Sequence, residues 1–146
     1  MAMTTVLSQS HDHEEHADHT HHLGFATGLV YVFEEDAFAA ALHLHYTYLF
    51  EIGETHLGAG AGVETILDEH QHIATSVHLS YFPVHSLGLT IAPGILFTEG
   101  DGQFSLHLEA SYEFILGSIH LGPVVEYAYA KDDSHLMFGL HVGLGF

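Results

Sequence analysis

The last twelve residues, 135–146, read HLMFGLHVGLGF and alternate between two kinds of side chain. In an extended chain one face would carry large apolar groups from Leu136 to Phe146, and the other would carry histidine, methionine and three glycines. A period of two over this length predicts a β-strand. Because the two faces differ so strongly in size and polarity, they must meet different surroundings.

The same alternation extends back to residue 22 in eight segments that are separated by short polar turns. We predict strands at 22–33, 38–51, 56–67, 72–84, 87–98, 103–116, 119–130 and 135–146. Such even spacing is typical of an antiparallel up-and-down sheet, and eight strands can close into a barrel. Pro93 lies inside a segment and lacks a backbone donor, so we expect irregular pairing near it.

The bulky face must point out of the barrel. The interior of an eight-stranded barrel is only just wide enough for side chains, so it accepts glycine, alanine, serine and histidine but not the many large apolar groups. Of seven tyrosines and ten phenylalanines, only Phe82 falls on the inward face. The others sort into two rings, one near each rim, as in the aromatic girdles of membrane barrels. The prediction is an all-β, eight-stranded transmembrane barrel, with a soluble lipocalin-like barrel as the alternative.

Composition excludes several classes of protein. One basic residue stands against 19 acidic ones, for a formal charge of −18, which excludes nucleic-acid binding because phosphates need basic partners. Cysteine is absent, so disulfides and thiolate metal sites are excluded. No apolar run is long enough for a transmembrane helix. Residues 1–10, MAMTTVLSQS, contain no complete signal peptide, which we interpret as absent or trimmed.

Residues 1–21 are predicted to form a disordered arm rich in histidine and acid, and residues 22–146 to form the barrel. The stretch HDHEEHADHTHH, residues 11–22, interleaves histidines with carboxylates and should bind zinc, copper or nickel weakly. The alternative is a solvated acidic tail. The candidate ligands in this stretch are His11, His13, His16, His19, His21 and His22.

The inward face of the barrel carries a second set of candidate ligands. Turn geometry predicts Glu109 opposite Glu126, His43 opposite Glu64, and His141 beside Val124. No arginine or lysine is predicted in the lumen to balance these acids, and imidazole with carboxylate suits zinc, nickel or copper. A hydrogen-bonded plug that simply fills the barrel is the alternative. The lumenal candidates for Zn²⁺ or another divalent transition metal are His43, His45, Glu64, His78, His107, Glu109, Glu126 and His141.

Four further histidines are predicted at the barrel rims, where they carry little information alone. They are His70, His72, His85 and His135.

The terminal strand resembles the C-terminal signature of bacterial outer-membrane β-barrel proteins, with Val142, Leu144 and the final Phe146 at the matching positions. Together with SYEF (residues 111–114) and HLGPVVEYAY (120–129), it is similar to small eight-stranded members from Bacteroidota-like bacteria. The resemblance implies an outer-membrane location, a lipid bilayer as surroundings, and recognition of Phe146 by the barrel-assembly machinery.

The predicted function follows from the barrel and its lumen. We expect a monomeric, non-enzymatic barrel, because the chain has neither long rim loops nor a Ser/His/Asp cluster. Such a barrel would bind or handle divalent transition metals. The alternatives are a narrow pore for small ions and a purely structural membrane barrel.

Overall fold

The structure, a computed structural model, describes residues 19–70, 72–131 and 133–146. Within these ranges the chain forms β1 (His21–Val32), β2 (Ala37–Ile52), β3 (Thr55–Leu67), β4 (His72–Val84), β5 (Leu87–Thr98), β6 (Asp101–Tyr112), β7 (Phe114–Leu116), β8 (Ile119–Ala130) and β9 (His135–Gly145). A search of the described residues finds no helix long and apolar enough to span a membrane.

The sheet closes into an eight-stranded antiparallel barrel, as predicted. Consecutive strands pair along the chain, β1 pairs with β9 to close the cylinder, and β6 and β7 both pair with β8. β6 and β7 are therefore pieces of one barrel strand, interrupted at Glu113. We call the end where β1 begins and β9 ends the terminal rim, and the opposite end the loop rim. Gly53 and Gly117 occupy tight turns at the terminal rim with φ of 64° and 65°, which favour glycine.

The bulky residues face outward. Leu44, Leu108 and Leu140 are each 47% exposed, whereas His78, on the opposite face, is 9% exposed. Aromatic contacts are found near both ends of the barrel: Tyr31 packs against Phe38 near the loop rim, with ring centroids 5.1 Å apart. Near the terminal rim the rings of Tyr48 and Phe50 are stacked, and those of Tyr112 and Phe114 meet edge to face. Phe82 lines the interior cavity, as predicted.

Two of the three predicted lumenal pairings are confirmed: Glu109 faces Glu126 and His43 faces Glu64. The third is wrong, because His141 pairs with Gly122 rather than lying beside Val124. The prediction assumed that β8 and β9 pair up to their ends. Instead the last two residues of β8 extend past β9 and pair with β6, which shifts the β8–β9 register by two residues.

Irregular pairing occurs between β4 and β5. Their ladder pairs Ser76 with Gly94 and resumes at Leu79 and Ile91, so it is interrupted opposite Pro93, where we expected it. The same ladder has a register shift between Tyr81 and Val84, where a second proline, Pro83, lies within β4. Proline cannot donate to a ladder, which explains why both defects lie next to this residue type.

The lumen is packed toward the loop rim by small and medium apolar side chains. Val30, Ile66 and Met137 are fully buried and belong to one apolar cluster. Leu96 belongs to a second, smaller cluster. We call this part of the interior the loop half of the lumen, and the part that opens at the terminal rim the terminal half.

Candidate functional site

The terminal half of the lumen contains a cavity of about 810 Å³. Its polar lining comes from strands all around the barrel, including Thr47 on β2, Ser80 on β4 and Ser111 on β6. Imidazoles and three carboxylates, Glu51, Glu109 and Glu113, contribute the ionisable part of the lining, and two groups of these side chains lie close enough to share an ion.

The histidine group consists of His22, His45 and His141, contributed by the adjacent strands β1, β2 and β9. One ring nitrogen from each lies within 4.8 Å of the others. The rings of His45 and His141 are stacked, with centroids 5.2 Å apart and an interplanar angle of 8°. The rings of His22 and His141 lie 5.4 Å apart.

Glycine provides the space for these rings. Gly24 lies on β1 directly across from His45 on one side and Gly143 on the other. A Cβ at Gly24 would collide with Nε2 of His45 and approach Nε2 of His141 to 2.5 Å. Both Nε2 atoms therefore point toward the same small space over the β1 backbone.

Glu113 connects the histidine group to a fourth imidazole. Its carboxylate oxygens lie 3.2 Å from Nδ1 of His141 and 2.8 Å from Nδ1 of His120. His22, Glu113 and His120 form a second group of ligand atoms within 4.8 Å. Since Glu113 engages Nδ1 of both imidazoles, their Nε2 atoms are left for other partners.

A third cluster of potential ligands lies deeper in the lumen, and all four of its side chains are buried. We call it the carboxylate group, and its members are Glu64, His107, Glu126 and His135. His107 Nδ1 lies 3.1 Å from Oε1 of Glu126, and His135 Nε2 lies 3.2 Å from Oε1 of Glu64. His135 Nε2 is also 4.0 Å from Oε1 of Glu126. One ligand atom from each residue lies within 4.8 Å of the others.

His43 and Glu109 lie between the histidine group and the carboxylate group, and we call them the linking pair. His43 Nδ1 is 3.8 Å from Oε2 of Glu109 and 3.9 Å from Oε2 of Glu126. The His43 ring is 5.1 Å from that of His45 in the histidine group. The only basic residue of the sequence, Lys131, lies exposed beyond the end of β8, so histidines are the only cationic partners for the lumenal carboxylates.

The loop-rim group, Glu35, Asp68 and His72, is a fourth set of close ligand atoms. His72 contacts Asp68 through Nδ1 and lies 2.6 Å from Asp133 Oδ2 through Nε2. Burial raises the pKa of the Asp133 carboxyl above its usual value, while nearby His72 opposes this shift. These residues line a cavity of about 460 Å³.

His70 lies exposed beside this cavity. Its Nδ1 is 3.3 Å from Oε1 of Glu99, and its Nε2 is 3.7 Å from Oε1 of Glu35. The hydrogen bond to Glu99 and the charge of Glu35 raise the pKa of His70 above its usual value of 6.5.

Several sequence candidates fall outside the lumenal groups. His21 begins β1 on the outer surface, where its Nδ1 is 2.6 Å from the Tyr46 hydroxyl and its ring stacks on Phe146. His78 is bonded to Thr47 Oγ1 at 2.9 Å and joins none of the close groups. His19 lines the cavity, with its ring 6.3 Å from that of His120. The candidates His11, His13 and His16 lie outside the described residues.

Sequence reasoning missed Glu113 and His120 as candidate ligands, although strand parity places both in the lumen. His72 and His135 are the first residues of β4 and β9 and so lie toward the loop rim, as expected. They carry more information than expected, because both side chains are buried and face carboxylates.

No protein-family model matches the sequence, and no curated protein is significantly similar to it. The fold is similar to that of Neisserial surface protein A (NspA), with a TM-score of 0.56 and 12% identity over 87% of this chain and 97% of that one. It is similar to Ail, the attachment invasion locus protein of Yersinia pestis, with a TM-score of 0.54 and 14% identity over 86% and 97%. A chain described under the de novo design of transmembrane β-barrels has a TM-score of 0.60 and 12% identity over 86% and 96%.

NspA and Ail are small outer-membrane eight-stranded β-barrels, so the predicted kind of fold is confirmed. Identities this low establish the fold alone. The Bacteroidota-like origin stays a prediction.

Proposed function

We propose that this chain is a monomeric, non-enzymatic outer-membrane β-barrel whose lumen binds a divalent transition-metal ion, namely zinc, copper or nickel, at the histidine group. The observation that carries this proposal is the convergence of His22, His45 and His141 over two paired glycines, with His45 and His141 facing Gly24 and His22 facing Gly143. Three imidazole nitrogens drawn from three strands, with a carboxylate behind one of them, form a donor set that suits these metals.

The membrane part of the proposal is supported by the outer surface. Large apolar side chains cover it, with aromatic contacts near both rims, and a barrel that is apolar outside and polar inside is suited to lipid. The fold likeness to NspA and Ail agrees with an outer-membrane location. Phe146 directly follows β9 and is exposed, so the barrel-assembly machinery could read it there.

The metal part is supported by unpaired nitrogen atoms. Within the described residues, Nε2 of His22 and Nε2 of His141 are buried and make no hydrogen bond. Buried polar atoms normally have partners, and an ion would supply one. Zinc–nitrogen bonds of about 2.0–2.1 Å in a tetrahedron separate nitrogens by roughly 3.3 Å, so atoms already within 4.8 Å need only small ring movements.

Glu113 supports the site from behind. A carboxylate on Nδ1 of a ligating histidine fixes the tautomer and raises the basicity of Nε2. Glu113 is placed to take this role for His141, because its Oε1 lies 3.2 Å from Nδ1, without a hydrogen bond in this geometry, while Nε2 lies beside the space over Gly24. The hydrogen-bonded plug does not account for Nε2 atoms that are buried without a hydrogen bond.

The test is isothermal titration of the detergent-folded barrel with Zn²⁺. The full chain should bind zinc with a dissociation constant tighter than about 100 µM, which corresponds to about −5.5 kcal/mol. A variant without residues 1–18 separates the lumen from the N-terminal stretch and should keep this binding. Gly24→Ala, which fills the space beside the two Nε2 atoms, should weaken it at least tenfold.

His21→Ala is the matched control, because this histidine lies on the outer surface. Circular dichroism and heat-dependent gel migration verify that each variant is folded. If the shortened chain binds zinc no tighter than about 100 µM, the lumenal site is rejected and the plug remains. Loss of binding only on removal of residues 1–18 would assign the metal to the N-terminal histidines His11, His13 and His16.

A further inference from the structure

Potential metal ligands follow one another along the strands from one rim to the other. On β2 and β9, an inward residue near the terminal rim belongs to the histidine group, and an earlier inward residue nearer the loop rim belongs to the linking pair or the carboxylate group. On β9 these residues are His141 and His135. In the barrel strand made of β6 and β7, Glu113 lies nearer the terminal rim, and Glu109 and His107 lie nearer the loop rim. The histidine group, the linking pair and the carboxylate group are therefore stacked along the barrel axis.

Neighbouring groups share ligands or touch. His22 belongs both to the histidine group and to the group with Glu113 and His120. Glu126 belongs both to the carboxylate group and to a group with His43 and Glu109. An ion that holds a shared ligand can exchange its other ligands one at a time, so each step from group to group is short.

At the loop rim, Asp133 is the acidic residue nearest in sequence to the stacked ligands. This side chain is 6% exposed, lines the cavity at the loop rim, and has two buried oxygens without a hydrogen bond among the described residues. It faces His72 of the loop-rim group and lies two residues before His135 of the carboxylate group. Asp133 thus contacts the loop-rim group, and the chain leads from it directly into His135 of the carboxylate group.

The loop half of the lumen is packed with apolar side chains and does not form a water-filled channel among the described residues. Val30, Ile66 and Met137 are fully buried in the loop half of the lumen beside the carboxylate group. Apolar side chains cannot replace the hydration shell of an ion, so any ion passing this half must be held directly by carboxylate and imidazole. Such ligands favour divalent transition metals over alkali ions, and several adjacent sites allow an ion to enter and leave.

From this stacking we infer that the barrel passes a divalent transition-metal ion across the bilayer, ligand to ligand, between the loop-rim group and the terminal cavity, and excludes hydrated alkali ions. This inference rests on the proposed function, because it requires that the lumenal groups bind the metal. It adds that the groups act in series.

The test uses the full chain in lipid vesicles that contain a zinc-sensitive dye, with potassium and valinomycin present to dissipate the membrane potential. Zn²⁺ added outside should enter at least tenfold faster than into protein-free vesicles. In planar bilayers without valinomycin, the same protein should show no potassium conductance above the lipid background.

The decisive variants change the linking pair, which lies between the two groups and belongs to neither. His43→Gln and, separately, Glu109→Gln should lower the zinc flux at least tenfold. Calorimetric zinc binding at the histidine group should remain within about twofold of the unmodified chain. If one of these two variants fails to fold, the other still tests the inference. His21→Ala is the control and should leave both the zinc flux and zinc binding unchanged.

The outcomes separate the two proposals. Zinc binding with a flux equal to that of protein-free vesicles overturns the transfer and leaves the binding site standing. Absence of both binding and flux rejects the proposed function itself. Zinc flux that survives both linking-pair variants, or that comes with potassium conductance, identifies an aqueous pore and overturns transfer along the ligands.

Discussion

The two halves of the lumen use the same residue types for different purposes. The terminal half surrounds a cavity of about 810 Å³, and its imidazoles face a space kept open by glycine. In the loop half, Glu64, Glu126 and His135 are buried, and so are the apolar side chains of Val30 and Met137. A histidine in the first region can meet water or an ion, whereas one in the second depends on a fixed carboxylate.

This difference shows that the packing around an ionisable side chain, rather than residue identity, decides what that side chain can do in a narrow barrel. Packed surroundings penalise every loss of volume and every unpaired charge. Around an open cavity, a smaller side chain costs little stability. A shift of a ligating side chain there weakens the binding of an ion instead. The following predictions test this contrast, beginning with the largest expected effect.

Truncating an apolar side chain should be costly only in the packed half. Met137→Ala should lower the free energy of unfolding by about 2–5 kcal/mol, because Met137 is fully buried and leaves a cavity. Phe82→Ala should cost clearly less, since Phe82 borders the existing cavity of the terminal half. Urea unfolding in detergent, followed by circular dichroism because the chain has no tryptophan, measures both. Equal losses would contradict the division of the lumen into packed and open halves.

Two glycines of β9 should separate stability from binding. A Cβ at Gly143 would collide with Nε2 of His22, whereas one at Gly139 would meet the backbone of Thr27 and Gly28. Gly139→Ala should therefore destabilise the barrel by about 1–3 kcal/mol and leave zinc affinity unchanged. Gly143→Ala should weaken zinc binding about tenfold, or roughly 1.4 kcal/mol, with little change in stability. Calorimetry and urea unfolding on both variants would reveal a reversed pattern.

Removing the charge of a lumenal carboxylate should change the stability of the barrel differently at Glu126 and at Glu113. Glu126 lies directly across from Glu109, and like charges opposed in a sheet cost about 0.2–1 kcal/mol. Glu126→Gln should thus stabilise the barrel by a similar amount at pH 8. Glu113→Gln should not, because Glu113 faces two imidazoles instead. A stability gain for the Glu113 variant would show that its carboxylate is also under repulsion.

The smallest effect concerns the exposed loop rim. Because Glu99 and Glu35 raise the pKa of His70, Glu99→Gln should lower that pKa toward 6.5. The contact contributes stability below the unfolded-state pKa and loses it as the pH rises through the higher folded-state pKa. An NMR titration of the His70 ring in micelles measures the shift, and an unchanged pKa would remove Glu99 as its main cause.

The strand pattern predicted a large part of the fold, for local reasons. Side chains alternate across a strand, so parity alone placed Leu108 outside and His107 inside. Short turns fix the register of a hairpin, and the pairings of Glu109 with Glu126 and of His43 with Glu64 therefore followed from turn position. The shifted partner of His141 did not follow, because a strand can extend past its neighbour to pair with another.

The candidate site was predictable only as a set of inward residues. The sequence by itself determined which face of each strand is polar and that no lumenal arginine or lysine balances the acids. Only closure of the barrel decided which inward residues meet, because it brings β9 beside β1 and thereby places His141 next to His22 and His45. Contacts between residues so distant along the chain depend on how all the strands are staggered around the cylinder, and no local pattern encodes that stagger.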